Sequence, residues 1–381
     1  MSPPSNRPLA RQWRRIVMGL TVGVCLAVAT DRAYADRLIL RDLRLISNVT
    51  VVGFDEEGVK VTDNNLIPWH EIELGTVAPD KQADFDRLRN DLGLPLYRIH
   101  QRLTVGDYGG LQEPAEAVFE RYKDRDSKTA YMVCQATMWG RLANGQREAA
   151  LEAYFCCIRC LKANRSEPPS LPGPRRLEYD KQTGLSTDLL PLFFDQAAAA
   201  EALPKAASVA NSLGQKAPEA VNIYMAALAI AAHDFAEAEK WERKLKTGNP
   251  TLKQWNDLLA AQTQVQTGNL IVARSELVPV IHTMDSCNLP VAWYLQGVAG
   301  ARSSEFLMIE HGVLDLLHVP ALYGNDQPEL AAAALLEAHN ALLRIKQPDQ
   351  AADVRRQLLL FYGGTSHAKQ IRSSRQLPSN P

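Results

Sequence analysis

The feature that most restricts the fold of this chain is a pair of small residues that recurs at a fixed offset. Ala226 and Ala238 stand twelve positions apart, and Ala261 and Ala273 repeat that spacing 35 residues further on. His233-Asp234-Phe235 and Gly268-Asn269 fall between the members of each pair and suit the corner of a helical hairpin. Helices joined by a short corner must pack closely, and alanine or glycine at the crossing lets their backbones approach while larger apolar residues fill either side. Val221 to Pro250 therefore reads as one antiparallel helix pair, in which Ala238 opens the second helix, Leu245 continues its inner face and Pro250 stops it. The next pair runs through Ala261, Ala273, Leu277 and Val280. Units of this length stack in one dimension, because each hairpin buries its apolar face only against its neighbours.

The same ruler reaches Gly297, Ile309 and Leu316, beside Trp293-Tyr294-Leu295-Gln296-Gly297. It then reaches Ala352 and Leu359 after a Gln347-Pro348 corner, with Asn340 in place of the small residue. Gly145, Ala150, Tyr154 and Cys157 form an earlier, looser unit. Over residues 125–362 the chain resembles the tetratricopeptide-repeat family, with Pro250 as its one terminal proline of the family type. The resemblance implies a mainly α chain, a tetratricopeptide-like helical-hairpin solenoid preceded by a small antiparallel β module, whose concave face holds a protein or peptide partner. Asn222, Gln254, Asn256, Gln264 and Gln296 are the polar candidates for main-chain contacts on that face.

The amino end carries an export pattern. Arg7, Arg11, Arg14 and Arg15 precede an apolar run from Ile16 to Thr30, and Ala33-Tyr34-Ala35 offers small residues for cleavage between Ala35 and Asp36. The run is shorter than the roughly 20 residues of a spanning helix, so cleavage is favoured over retention as an anchor. Cys25 follows the branched Val24 rather than a small residue, which disfavours acylation. Ile223 to Ala232 is the most apolar later stretch and is too short to span, so the expectation is a soluble protein of the bacterial periplasm or envelope. Lys plus Arg number 42 against 43 Asp plus Glu, and residues 1–35 remove five Arg and one Asp, leaving a mildly acidic chain. That balance gives no general attraction for nucleic acid.

Residues 36–78 read as a small β module. Leu43, Leu45, Val49 and Val51 alternate with polar residues, Asp55-Glu56-Glu57-Gly58 turns the chain, Val59 and Val61 alternate again, and Leu66 to Leu74 is a strand broken by Pro68. About four strands result, and so small a sheet has to curl up or lean on the following helices. Its Ile67-Pro68-Trp69-His70-Glu71-Ile72 run resembles the closing strand of SH3-like or Sm-like modules. Residues 79–165 are helical and include the first loose repeat. Pro168, Pro169, Pro172 and Pro174 make 166–187 an exposed linker. Repeats then fill 188–362, and the polar stretch 363–381 reads as a disordered tail.

The sharpest chemical signal is Cys156-Cys157-Ile158-Arg159-Cys160, with Cys134 one helix earlier. Two thiols at Cys-x-x-Cys spacing can share a metal or cycle as a dithiol. The cluster lies in mid-helix, away from the helix start that would stabilise a thiolate, so buried core residues are favoured. A disulfide from Cys134 to Cys156 or Cys160, and metal or redox chemistry, stay open. His70 beside Glu71, His311 with His318 two turns apart, and Gly106, Gly109 and Gly110 without a following Lys-Ser or Lys-Thr pair all read as structural. No Gly-x-Ser-x-Gly or His-Glu-x-x-His motif occurs, and no motif implies a cofactor. The expectation is a non-catalytic interaction scaffold, with an exported enzyme or a redox or metal factor built on Cys156, Cys157 and Cys160 as the alternative.

Overall fold

The computed structural model describes residues 36–62, 65–164, 171–214, 217–245 and 248–373. The export signal with Ala35, and the tail beyond 373, lie outside the described residues. The fold is mainly helical with an amino-terminal β region. It divides into two compact units, the first ending at Leu94 and the second starting at Pro95.

Among its described residues the first unit holds six short strands rather than about four. They are β1 (Asp36–Leu40), β2 (Leu45–Val49), β3 (Val51–Asp55), β4 (Gly58–Val61), β5 (Leu66–Ile67) and β6 (Ile72–Thr76), in two antiparallel sheets ordered β2-β1-β6 and β3-β4-β5. The alternating run from Leu43 to Val51 is not one strand, because Leu43 takes a left-handed turn with φ 67° and the chain changes sheet between Val49 and Val51. Helix α1 (Pro79–Leu88) belongs to this unit and completes its core. Phe85 from α1 packs 5.4 Å from Trp69 and 5.7 Å from Phe54, ring centre to ring centre. Gly75 makes this possible: a Cβ there would fall 2.4 Å from the Phe85 ring. Trp69 itself is fixed by donating Nε1–H to the Asp55 carbonyl at 2.7 Å. The sheets thus lean on the following helix, as their small size requires.

The second unit runs through α2 (Leu94–Val105), α3 (Gln112–Tyr122), α4 (Lys128–Ala143), α5 (Arg147–Ala163), α6 (Gln196–Ser212), α7 (Ala220–Ala231), α8 (Phe235–Glu242) and α9 (Pro250–Gln266). It continues with α10 (Leu270–Leu277), α11 (Leu289–Ala301), α12 (Phe306–Tyr323), α13 (Pro328–Arg344), α14 (Pro348–Phe361) and α15 (Ser366–Ser373). Helices α7/α8, α9/α10, α11/α12 and α13/α14 pair as hairpins, and their first helices also touch in succession: α7 with α9, α9 with α11, α11 with α13, and α13 with α15.

Four hairpin corners share one construction. Gly145, His233, Gly268 and Lys346 each take positive φ, of 78°, 60°, 81° and 61°. The next residue then donates its N–H back five positions: Gln146 to Arg141, Asp234 to Ala229, Asn269 to Gln264 and Gln347 to Leu342, at 2.8 to 2.9 Å. This is the Schellman closure, which satisfies an orphan carbonyl at the helix end and reverses the chain within two residues.

Several register expectations are corrected. Ala226, Ala261, Ala273 and Gly297 lie buried at helix contacts, and Ala238 is buried in the first turns of α8. Leu245 does not continue α8, which ends at Glu242; it follows in a turn, and Trp241 is the buried residue of the inner face. Pro250 starts a helix instead of ending one. It is the first residue of α9, where its missing N–H costs nothing, behind Asn249, whose side chain caps Leu252 N at 3.3 Å. Val280 lies beyond α10, and Leu277 carries that inner position. In the last hairpin the frame is off by one residue: Ala352 is exposed and Leu359 half-buried, while Ala351 and Leu358 are buried. One residue is about 100° of helix rotation, enough to exchange core for solvent.

Two segments also differ from expectation. Residues 166–170 of the expected linker, with Pro168 and Pro169, lie outside the described residues; the rest, 171–187, is only partly exposed, with Leu171, Leu177, Thr183 and Ser186 buried and side chains of neighbouring helices holding part of its backbone. Tyr154 donates its hydroxyl to the Gly184 carbonyl at 2.6 Å, and the Tyr224 hydroxyl donates to the Leu189 carbonyl and accepts from Ser186 N. Residues 366–373 form α15 with His367, Ala368 and Ile371 buried, so the early part of the supposed tail is ordered. Helix α12, and not only Ile223 to Ala232, is an apolar stretch of note: by length and hydropathy it could cross a membrane. Its Ile309, Val313, Leu316 and Val319 pack inward, and its Asp315 is ion-paired with Arg274 at 2.6 Å.

The array also folds back on itself. Helix α15 returns to the α4–α5 corner, where a Cβ on Gly145 would fall 2.8 Å from the Ser366 side chain and where Lys369 Nζ reaches the Asn144 carbonyl at 3.4 Å. Gln327, before α13, donates to the Thr187 carbonyl at 2.9 Å. Helices α7 and α11 are enclosed by their neighbours in the array: Asn222 in α7 and Leu289 and Trp293 in α11 are the residues that retain accessible surface. A helix that is apolar on every side belongs inside.

Candidate functional site

Where the two ends of the helical array meet, a polar cavity of about 890 Å³ opens. Its walls come from α3, the α4–α5 corner with the first turns of α5, the entry and first turns of α6, the first turn of α13, and α15. Helix N-termini favour acidic side chains, and several carboxylates here have that structural role. Glu148 lies in the first turn of α5, Asp195 caps α6 by accepting from Ala198 N at 3.0 Å, and Glu329 lies in the first turn of α13.

Most of the charge is paired internally. Arg141 forms a two-pronged pair with Glu116, at 2.7 and 3.0 Å, donates to the Ala149 carbonyl at 2.7 Å and reaches Glu152 at 3.4 Å. Lys205 pairs with Glu201 at 2.9 Å. Arg147 and Glu148 differ. Arg147 is 7% exposed, donates from Nε and Nη2 to the carbonyls of Leu192 and Leu190, both at 2.7 Å, and lies over the Phe194 ring. Burial pushes its pKa below the ordinary guanidinium value. Glu148 is 3% exposed and accepts from Phe194 N and Asp195 N, both on Oε1. Arg147 Nη1 and Glu148 Oε2 therefore make no hydrogen bond among the described residues, and both side chains line the cavity.

Ser366, His367 and Glu329 meet at one side of the cavity, yet they do not form a nucleophile relay. Ser366 Oγ lies 3.3 Å and Glu329 Oε2 3.5 Å from the same ring nitrogen, His367 Nδ1. Proton transfer from a serine to a carboxylate-oriented histidine needs the two partners on opposite ring nitrogens. The ring is instead held edge-to-face on Phe194 at 4.9 Å.

The residues expected to bind a partner are distributed differently. Gln254 is committed to internal bonds, accepting from Asp285 N at 3.0 Å and Asn288 Nδ2 at 2.8 Å. Gln296 is 5% exposed and donates to Asp315 at 3.0 Å, inside the lock that ties α10, α11 and α12 together. Asn222, Asn256 and Gln264 are half-buried along α7 and α9 and do not converge on the cavity. The cavity residues escaped sequence reasoning because they come from five separated segments, and no spacing links them. The one local hint is the acidic first turn of α5 and of α13.

Cys134, Cys156, Cys157 and Cys160 are free thiols with no exposed surface. The neighbouring thiols of Cys156 and Cys160, and then burial, push Cys134 well above the ordinary thiol range, and burial does the same to Cys157. The Cys160 thiol donates to the Arg125 carbonyl at 3.3 Å. Among the described residues no group of three or more His, Cys, Asp or Glu side chains is placed to hold a metal ion. Thiol titration of the native chain is expected to modify Cys287, which is exposed, with the other four described cysteines reacting only after denaturation. Rapid native labelling at Cys157 or Cys160 would contradict this burial.

Comparison with protein-family models, curated proteins and solved structures gives no match.

Proposed function

We propose that this chain is a non-catalytic interaction protein of the bacterial cell envelope, and that it receives a protein or peptide segment in the cavity between the ends of its helical array. The observation that carries this reading is the cavity itself: about 890 Å³, polar, and bounded by two charged side chains that keep one atom each unbonded. A space of that size fits within the usual range of ligand sites. The resemblance to tetratricopeptide repeats belongs to the same proposal, supported by the successive hairpins and their shared corners. It differs from the family pattern in where the partner sits, because the enclosed α7 and α11 leave little open concave face.

The test is crosslinking and pull-down from an envelope fraction with the full chain and with Ala198→Trp. Ala198 is half-buried on the cavity wall, and an indole there fills the space without removing any hydrogen bond made by a side chain. The expected result is a specific partner that the variant captures at least about tenfold less well. Equal capture by a variant that melts like the parent would exclude the cavity as the contact surface.

A further inference from the structure

Arg147 and Glu148 are consecutive, more than nine-tenths buried, and each uses only part of its hydrogen-bonding capacity. The two unbonded atoms are not sealed from solvent, so a ligand has to replace the water each of them meets, and one that completes both bonds does so without leaving either charge unpaired. Arg147 Nη1 asks for an acceptor and Glu148 Oε2 for a donor. A simple anion would satisfy the first but would face Glu148, Asp195 and Glu329 around the same space. A simple cation would satisfy the second but would face Arg147. A neutral backbone amide could serve both atoms, so charge has to decide between it and a charged amine. Glu201 is paired with Lys205 and Glu329 lies 3.5 Å from His367, while Arg141 alone serves both Glu116 and Glu152 and the remaining wall sets Glu148 and Asp195 against Arg147, so negative charge is in surplus even with His367 protonated. That surplus favours a ligand with a net positive head beside a carbonyl oxygen.

We propose that the cavity binds the amino-terminal residue of a peptide, whose α-ammonium donates to Glu148 Oε2 and whose first carbonyl oxygen accepts from Arg147 Nη1. This rests on the reading of the cavity as the binding surface. Ala149, Ala198 and Ala202 lie on the wall beside Phe194, so the first side chain of the peptide meets an apolar, shallow surface.

The probe is the tripeptide Ala-Ala-Ala, titrated calorimetrically into the full chain beside its N-acetylated form and free alanine. Binding of the free-amine peptide is expected to exceed that of the acetylated peptide by about tenfold or more, because acetylation removes both the charge and two donors. Glu148→Gln keeps the Oε1 acceptor for Phe194 N and Asp195 N while removing the charge, so it is expected to fold normally and to bind both peptides equally weakly. Equal affinity of the two peptides, no detectable heat from either, or free alanine binding as tightly as the tripeptide would each overturn the assignment. Should acetylation have no effect while Ala198→Trp still abolishes partner capture, the cavity remains the contact surface and only the amino-terminal assignment fails.

Discussion

Gly312→Ala is expected to unfold the third hairpin or to cost the chain about 3 kcal/mol or more, although it adds a single methyl group. A Cβ on Gly312 would fall 2.1 Å from Ala301 N, 2.5 Å from the Gly300 carbonyl carbon and 2.7 Å from the Gly297 carbonyl oxygen. All three are backbone atoms of α11 or its end, so no side chain can rotate away and the two helices would have to part. Parting them loosens the packing of Val298, Ile309 and Leu316, which are buried. Gly109→Ala is the control: nothing lies within 4 Å of that position, and a change within about 0.5 kcal/mol is expected. Thermal melts of both variants followed by circular dichroism check the pair. A Gly312→Ala protein that melts with the parent would show that the α11–α12 crossing is wrongly placed.

The second large effect is expected at Arg141. Its guanidinium serves Glu116, the Ala149 carbonyl and Glu152, and the Glu152 side chain is 7% exposed. Burial works against the charge of Arg141, but the hydrogen-bonded Glu116 carboxylate holds its pKa above the ordinary value. Arg141→Met would leave Glu152 as a buried carboxylate with only Lys123 at 3.8 Å, and breaking a buried pair from one side costs about 3 to 5 kcal/mol. Adding Glu152→Gln removes the orphaned charge, so the double variant is expected to be more stable than Arg141→Met alone. Denaturant titration of the two single variants and the double variant gives the coupling energy directly. Strict additivity would mean that the two side chains do not share a buried network.

The helical hairpins were legible because their signals are local. A small residue at each crossing and a corner of Gly, Asn, Asp or Pro are chemical necessities of a short connection, and His233-Asp234, Gly268-Asn269 and Gln347-Pro348 all lie at corners in the structure. Register was less legible. Leu245 and Val280 follow Ala238 and Ala273 at a spacing that suits a longer helix, but α8 and α10 are each eight residues long and end before those positions. Pro250 is ambiguous in the sequence because a proline both follows helix ends and opens helices, and only the capping by Asn249 decides between the two. The all-round apolar face of α7 was a signal of enclosure, and a solenoid with an open concave surface does not call for it.

By itself the sequence determined the helical class of the carboxy-terminal part, the β character of residues 36–78 and the hairpin corners, because each follows from the conformational preferences of a few neighbouring residues. Only the tertiary structure decided that the array closes, that α15 seats beside the α4–α5 corner and that Arg147, Glu148, Phe194, Glu329 and His367 surround one space. Closure depends on contacts between residues such as Gly145 and Ser366, or Thr187 and Gln327, which lie more than a hundred positions apart. Such contacts are set by the accumulated rotation of one hairpin on the next, and no local propensity encodes that sum.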